Sequence, residues 1–143
     1  MHEWPQLQEE MEMTLQRIDA EGLHRPETYS QVVVGRGSRT VFIAGQVSVD
    51  GDGQLVAPGD LAGQARQAYV NVGTALRAAG AGPADVAKIV TYVVDYEPAV
   101  LPVIREARQA VFGDALPAST LVGVQALAQP QYLIEVEAFA VVD

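Results

Sequence analysis

Residues 88–94 read Lys-Ile-Val-Thr-Tyr-Val-Val, a β-branched and aromatic run that favours an extended strand. Side chains alternate across a strand, so Ile89 and Val93 point one way while Val90, Tyr92 and Val94 point the other. Both faces are apolar. Leaving either in water forfeits about 1.5–3 kcal/mol for each large side chain that burial would stabilise, so a fold for this chain has to cover this strand twice. The last segment, 132–142, makes the same demand in milder form. It places Ile134, Val136, Ala138, Ala140 and Val142 on one face, and Leu133, Glu135, Glu137, Phe139 and Val141 on the other.

The first cover is helical. Asp60 is a good N-cap, and after it Leu61, Ala65, Ala68, Tyr69, Val72, Leu76 and Ala79 recur on one stripe until Gly80, with Gly82 and Pro83 confirming the stop. A second helix runs from Pro98 or Pro102 to Phe112, with Val100, Ile104, Ala107 and Val111 at helical spacing. Because Pro102 fits only a first turn, the residues before it are expected to form a separate short turn. Strand-like stretches at 14–18, 29–35, 40–47 and 119–127 complete the set, with a tight turn at Asp50-Gly51-Asp52-Gly53. The sum is one α+β domain over 13–143, preceded by a polar extension, 1–12, read as a loosely docked helical turn around Trp4.

Two helices cover one face of such a sheet. The second cover is assigned to sister copies in a closed cyclic oligomer, which also removes exposed strand edges. Shielding by the chain's own N-terminal segment is the alternative, and that segment is short and polar.

Charge and residue usage narrow the partners. The net charge is −9 and only 9 residues are Lys or Arg, with no basic run, so nucleic acid is a poor partner for an acidic surface. With Cys 0 and two distant histidines, His2 and His24, neither a disulfide framework nor a conventional zinc site is expected, and nothing calls for a cofactor. No stretch has the length of a membrane span or the order of a secretion signal, which makes the cytoplasm the default compartment.

Several motifs, in order, carry a resemblance to a known family. They are Tyr29-Ser30-Gln31 with Val41-Phe42-Ile43-Ala44-Gly45-Gln46; Gly59-Asp60 with Gln64-Ala65-Arg66-Gln67-Ala68 and Asn71-Val72; Ala78-Ala79-Gly80 with Asp85-Val86-Ala87-Lys88; Leu116-Pro117-Ala118-Ser119-Thr120; and Ile134-Glu135-Val136-Glu137-Ala138. Together they resemble the RidA/YjgF proteins over nearly all of the chain from Met13. The resemblance implies a chorismate-mutase-like fold, a homotrimer whose sheets face a central barrel, and small-metabolite clefts between subunits. It also implies hydrolysis of imines or enamines. Active deaminases of that family carry Arg directly after Pro-Ala, to grip a substrate carboxylate, and here that position is Ser119. A family Asn on the second helix corresponds to Val103, and a Ser or Thr before the motif Gly corresponds to Ala44. Glu135 matches the cleft carboxylate that directs water, and Tyr29 matches the aromatic wall.

Each candidate also has a plain structural explanation. Glu135 and Glu137 lie in an otherwise apolar strand, where a carboxylate is costly unless paired or functional. Glu135 is read either as water-directing or as an interface partner of an Arg, Glu137 as an interface residue. Ser119, Thr120 and Leu121 open their strand where they would touch a ligand, although hydroxyl residues there also serve packing. Gly45 and Gly123 admit close approach of a ligand or of a neighbouring backbone, and a bulge or tight packing explains either equally well. The absent arginine argues against an anionic substrate unless another guanidinium, for example Arg36 or Arg39, enters the cleft. The functional readings are therefore a C=N hydrolase with altered substrate, a metabolite-binding trimer without turnover, and the family's older ribonuclease label, which the acidity disfavours.

Overall fold

The computed structural model describes residues 14–143; the extension 1–12, with Trp4, lies outside the described residues. Six strands and two α-helices follow in the order β1 (Leu15–Ile18), β2 (Val32–Gly35), β3 (Arg39–Gln46), α1 (Leu61–Ala78), β4 (Val86–Val94), α2 (Leu101–Phe112), β5 (Ala118–Val124) and β6 (Ile134–Val142). Strands β3, β6, β4 and β5 form a mixed sheet in that spatial order, with β4 and β5 parallel and the other neighbours antiparallel. The α+β class is as expected.

Within one chain the helices supply one of the two covers that the pattern of 88–94 calls for. Ile89 and Val93 on β4 and Ile134, Val136, Ala138 and Ala140 on β6 are fully buried, packed with Ala65, Ala68, Val72 and Leu76 of α1 and Ile104 of α2. The opposite face carries Val90 and Tyr92 with Glu135, Glu137 and Phe139, all half-buried. Phe42 at its β3 edge is 72% exposed. A two-stranded ribbon, β1 with β2, crosses one end of the sheet. At one extreme Gly35 packs on Val141 of β6, and at the other Ser30 bridges to Ala118 at the start of β5.

Local chemistry accounts for the helix ends. Asp60 occupies the N-cap position of α1 but makes no side-chain capping bond. At the other end Gly80 has φ +73, the left-handed value that lets Ala81 N–H reach Leu76 O and Gly80 N–H reach Arg77 O. A 3₁₀ turn, Pro98–Val100, precedes α2 and leaves Pro102 in its first turn, the break expected from the proline rule. Two of the strands that end short of their sequence pattern bear on the site. The stretch 29–35 yields β2 only from Val32, because Thr28 and Tyr29 turn toward α2, and β5 ends at Val124 rather than 127.

Candidate functional site

The edge strand β5, the first turns of α2 and the loop that precedes β2 enclose a cavity of about 300 Å³ on the helical side of the sheet. Its polar lining includes Tyr29, Tyr69, Tyr96, Arg105, Arg108 and Ser119. The floor is rigid. Tyr69 is 1% exposed, shares a 2.9 Å hydrogen bond with Thr91 Oγ1, and stands edge-on to Phe112 with ring centroids 6.3 Å apart. Burial pushes the Tyr69 phenol above its usual pKa, against the smaller opposing effects of the Thr91 bond and the Arg108 charge.

The wall is tied in place by backbone acceptors. Arg108 Nη2 donates to Thr28 O at 2.6 Å, and Ser30 Oγ donates to Leu116 O at 2.5 Å, fixing the loop that presents Tyr29. Desolvation lowers the pKa of Arg108, the Tyr69 side chain works against that, and the neighbouring Arg105 charge adds to the lowering. Tyr96 follows Asp95, whose φ of 53 turns the chain back over β5. Gly123 makes room for it, since a Cβ there would sit 3.2 Å from the Tyr96 Cβ.

The structure brings some of the sequence-derived candidates together and separates others. Tyr29, Ser119 and Leu121 line the cavity. Glu135 lies across the sheet from them: Ser119 pairs with Ile89 and thence Ala138 on the helical side, whereas Glu135 pairs with Tyr92 on the open side. Gly45, after the irregularity in β3 beside Ala44, packs against the Glu135 carboxylate. Thr120 Oγ1 accepts from Lys88 Nζ at 2.6 Å, and Glu137 Oε1 accepts from Tyr92 OH at 2.7 Å. That bond, chiefly, raises the Tyr92 pKa. Val103 lines a separate groove of about 150 Å³ between the helices, with Ala62, Arg66 and Glu106.

The guanidiniums in the cavity are not the ones named from sequence. Arg39 donates to Asp143 O from Nε at 3.3 Å and from Nη2 at 2.9 Å, and neither it nor Arg36 lines the cavity. Arg105 and Arg108 do. A signal for them exists in the helix: each stands one residue after a buried stripe position, Ile104 and Ala107, so the two share the flank of α2 that borders the core. Among the described residues no group of three His, Asp or Glu side chains converges as a metal would require, and no helix is long and apolar enough to cross a membrane.

Fold and cavity together define a small α+β protein with a ligand-sized pocket at a sheet edge, and comparison with known proteins gives it relatives. The model of the family described as Endoribonuclease L-PSP matches residues 22–142. The rat 2-iminobutanoate/2-iminopropanoate deaminase is 37% identical over 114 residues, 79% of this chain and 79% of that protein. A Yersinia pestis protein of the conserved Rid family, YyfB, superposes with a TM-score of 0.84 at 40% identity, over 90% of this chain and 99% of that one. Escherichia coli TdcF, solved with bound serine, superposes with a TM-score of 0.63 at 28% identity, over 88% of this chain and 98% of its own. The chain belongs to the RidA/YjgF family, the one that the Endoribonuclease L-PSP model describes.

Proposed function

We propose that this protein is a cytoplasmic homotrimer that hydrolyses the C=N bond of a small imine, or of the enamine in equilibrium with it, in the cavity beside Ser119. The observation that carries this reading is the cavity itself. It is walled by Tyr29 and Ser119, in a chain with 37% identity to an imine deaminase. The hydroxyls of Tyr29 and Ser119 make no hydrogen bond among the described residues, which leaves them for a ligand. Glu135 faces the other side of its own sheet, so the carboxylate that directs water comes from a neighbouring copy packed on that face. A strand edge such as β5 beside an uncovered apolar face is the geometry in which a neighbour completes a site.

The chemistry balances with water as the only co-reactant. The water oxygen bonds to the imine carbon as one water proton passes to Glu135 and on to the imine nitrogen, giving the carbinolamine; Glu135 then takes the hydroxyl proton and returns it to the nitrogen as the C–N bond breaks, releasing ammonia, leaving a carbonyl and regenerating the carboxylate. With Ser119 where the family's deaminases have Arg, the strand offers a hydroxyl in place of a guanidinium, and the substrate's polar end is held differently. The net charge of −9 opposes RNA as the substrate.

The test is a steady-state assay with 2-iminobutanoate and 2-iminopropanoate generated in situ. Ammonia release above the uncatalysed rate is expected, with Glu135→Gln lowering kcat by roughly 10²-fold or more. No acceleration would reject the reaction. The Ser119 substitution favours a second reading, a binding protein without turnover, which predicts metabolites that raise the melting temperature and are recovered unchanged.

A further inference from the structure

We infer that Arg105, on helix α2, grips a carboxylate of the ligand and so does the work for which the family's deaminases use the strand residue that is Ser119 here. This rests on the cavity being the ligand site. Two guanidiniums, Arg105 and Arg108, line it, and none of its lining residues is Asp or Glu. They stand three residues apart on one helix, where like charges repel, in a chain whose net charge is −9. Neither arginine makes an ion pair among the described residues, and no acid lines this cavity with them, which marks it as a place where a counter-charge arrives from outside.

The two arginines have different duties. Arg108 is committed to the fold, since its Nη2 donates to Thr28 O and holds the wall. Arg105 makes no hydrogen bond or ion pair among the described residues, and its side chain is exposed at the cavity rim. The remaining free polar side-chain groups are hydroxyls, those of Thr28, Tyr29, Tyr96 and Ser119. A planar guanidinium with hydroxyl donors around it fits a carboxylate through paired N–H···O bonds. The volume, about 300 Å³, is at the small end for ligand pockets and suits a metabolite of a few carbons. The adjoining cavity of about 210 Å³ shares Arg105 and Arg108 but is also lined by Glu27 and Asp114, so a second anionic group is not accommodated there.

Calorimetric titration of the full-length protein tests the assignment with 2-oxobutanoate, the stable oxygen analogue of an imino acid, beside neutral 2-butanone and inorganic phosphate. Arg105→Gln is expected to weaken 2-oxobutanoate roughly ten- to a hundredfold, with 2-butanone unaffected and the melting temperature unchanged. Ser119→Arg in the Arg105→Gln background is expected to restore binding. Equal affinity of wild type and Arg105→Gln for 2-oxobutanoate overturns the inference. So does tighter binding of phosphate than of 2-oxobutanoate, which would make the site one for phosphate. The proposed reaction fails separately. Arginine-dependent binding without imine turnover sinks the hydrolase and leaves this site, whereas full turnover by Arg105→Gln does the reverse.

Discussion

Tyr69 shows how single residues shape the cavity. Its hydroxyl and that of Thr91, 2% exposed, satisfy one another below the cavity floor. Tyr69→Phe therefore leaves a buried hydroxyl without its partner and should cost about 1–3 kcal/mol in urea unfolding. The same residue links stability to pH. Burial raises the Tyr69 pKa in the folded state, so between the ordinary tyrosine value of about 10 and the raised one the folded chain holds more protons than the unfolded chain. Stability is complete below pH 10 and falls as pH rises beyond it; urea midpoints from pH 9 to 11 should show the fall, flattened in Tyr69→Phe. Gly45 gives a prediction about the open face. A Cβ there would collide with the flexible end of Glu135, so Gly45→Ala should displace that carboxylate, lowering kcat at least tenfold while the melting midpoint barely moves. At this scale the sequence was legible where a motif fixes a position in the fold: Tyr29, Ser119 and Leu121 meet in one cavity. Arg105 and Arg108 carried only their position beside the stripe, which does not set them apart from solvated arginines until the loop carrying Thr28 is folded against the helix.

Elements were read well where one periodicity ran unbroken, as in α1, whose apolar stripe is the stripe that the core buries. What the stripe concealed is Gln64, a polar residue on that buried face with 0% exposure. Its Nε2 donates to Gln131 O at 3.0 Å and Ala57 O at 3.3 Å, and its Oε1 accepts from Leu133 N–H at 2.9 Å. One amide thus ties the first turn of α1 to the loops before it and before β6. No local rule reveals this, since the partners lie up to 69 residues away. Gln64→Leu keeps the volume but strips Leu133 N–H of its acceptor, and a loss of about 1–3 kcal/mol is expected. Hydrogen exchange should quicken at Leu133 before it does in the sheet centre; unchanged exchange there would mean that the amide is not what holds the loop. Strand ends were the least legible, because whether 29–31 extends β2 depends on α2 and β5, not on its own residues.

For the whole molecule the question is what covers the second face. The ribbon of β1 and β2 takes one end of the sheet, with Gly35 against Val141, and leaves Phe42 72% exposed and Val122 38% exposed. Phe42 touches Phe139 edge-on at 5.8 Å, which places two aromatic rings side by side on an uncovered surface. In a lone protomer Phe42→Asp would cost little, since most of the ring is already in water. In a trimer it inserts a carboxylate into each of three interfaces and forfeits about 1.5–3 kcal/mol of apolar burial at each, before the cost of desolvating the charge. Sedimentation velocity at micromolar concentration should therefore show the wild type as a trimer and Phe42→Asp as a folded protomer with an unaltered far-ultraviolet spectrum. The wild-type melting temperature should rise with protein concentration and that of the variant should not. Because Glu135 shares the face with Phe42, imine turnover should vanish with the assembly although the cavity beside Ser119 stays intact within each chain. A wild type that sediments as a protomer, or a dissociated variant that keeps its full rate, would mean that water is directed from within one chain and that the open face serves another purpose.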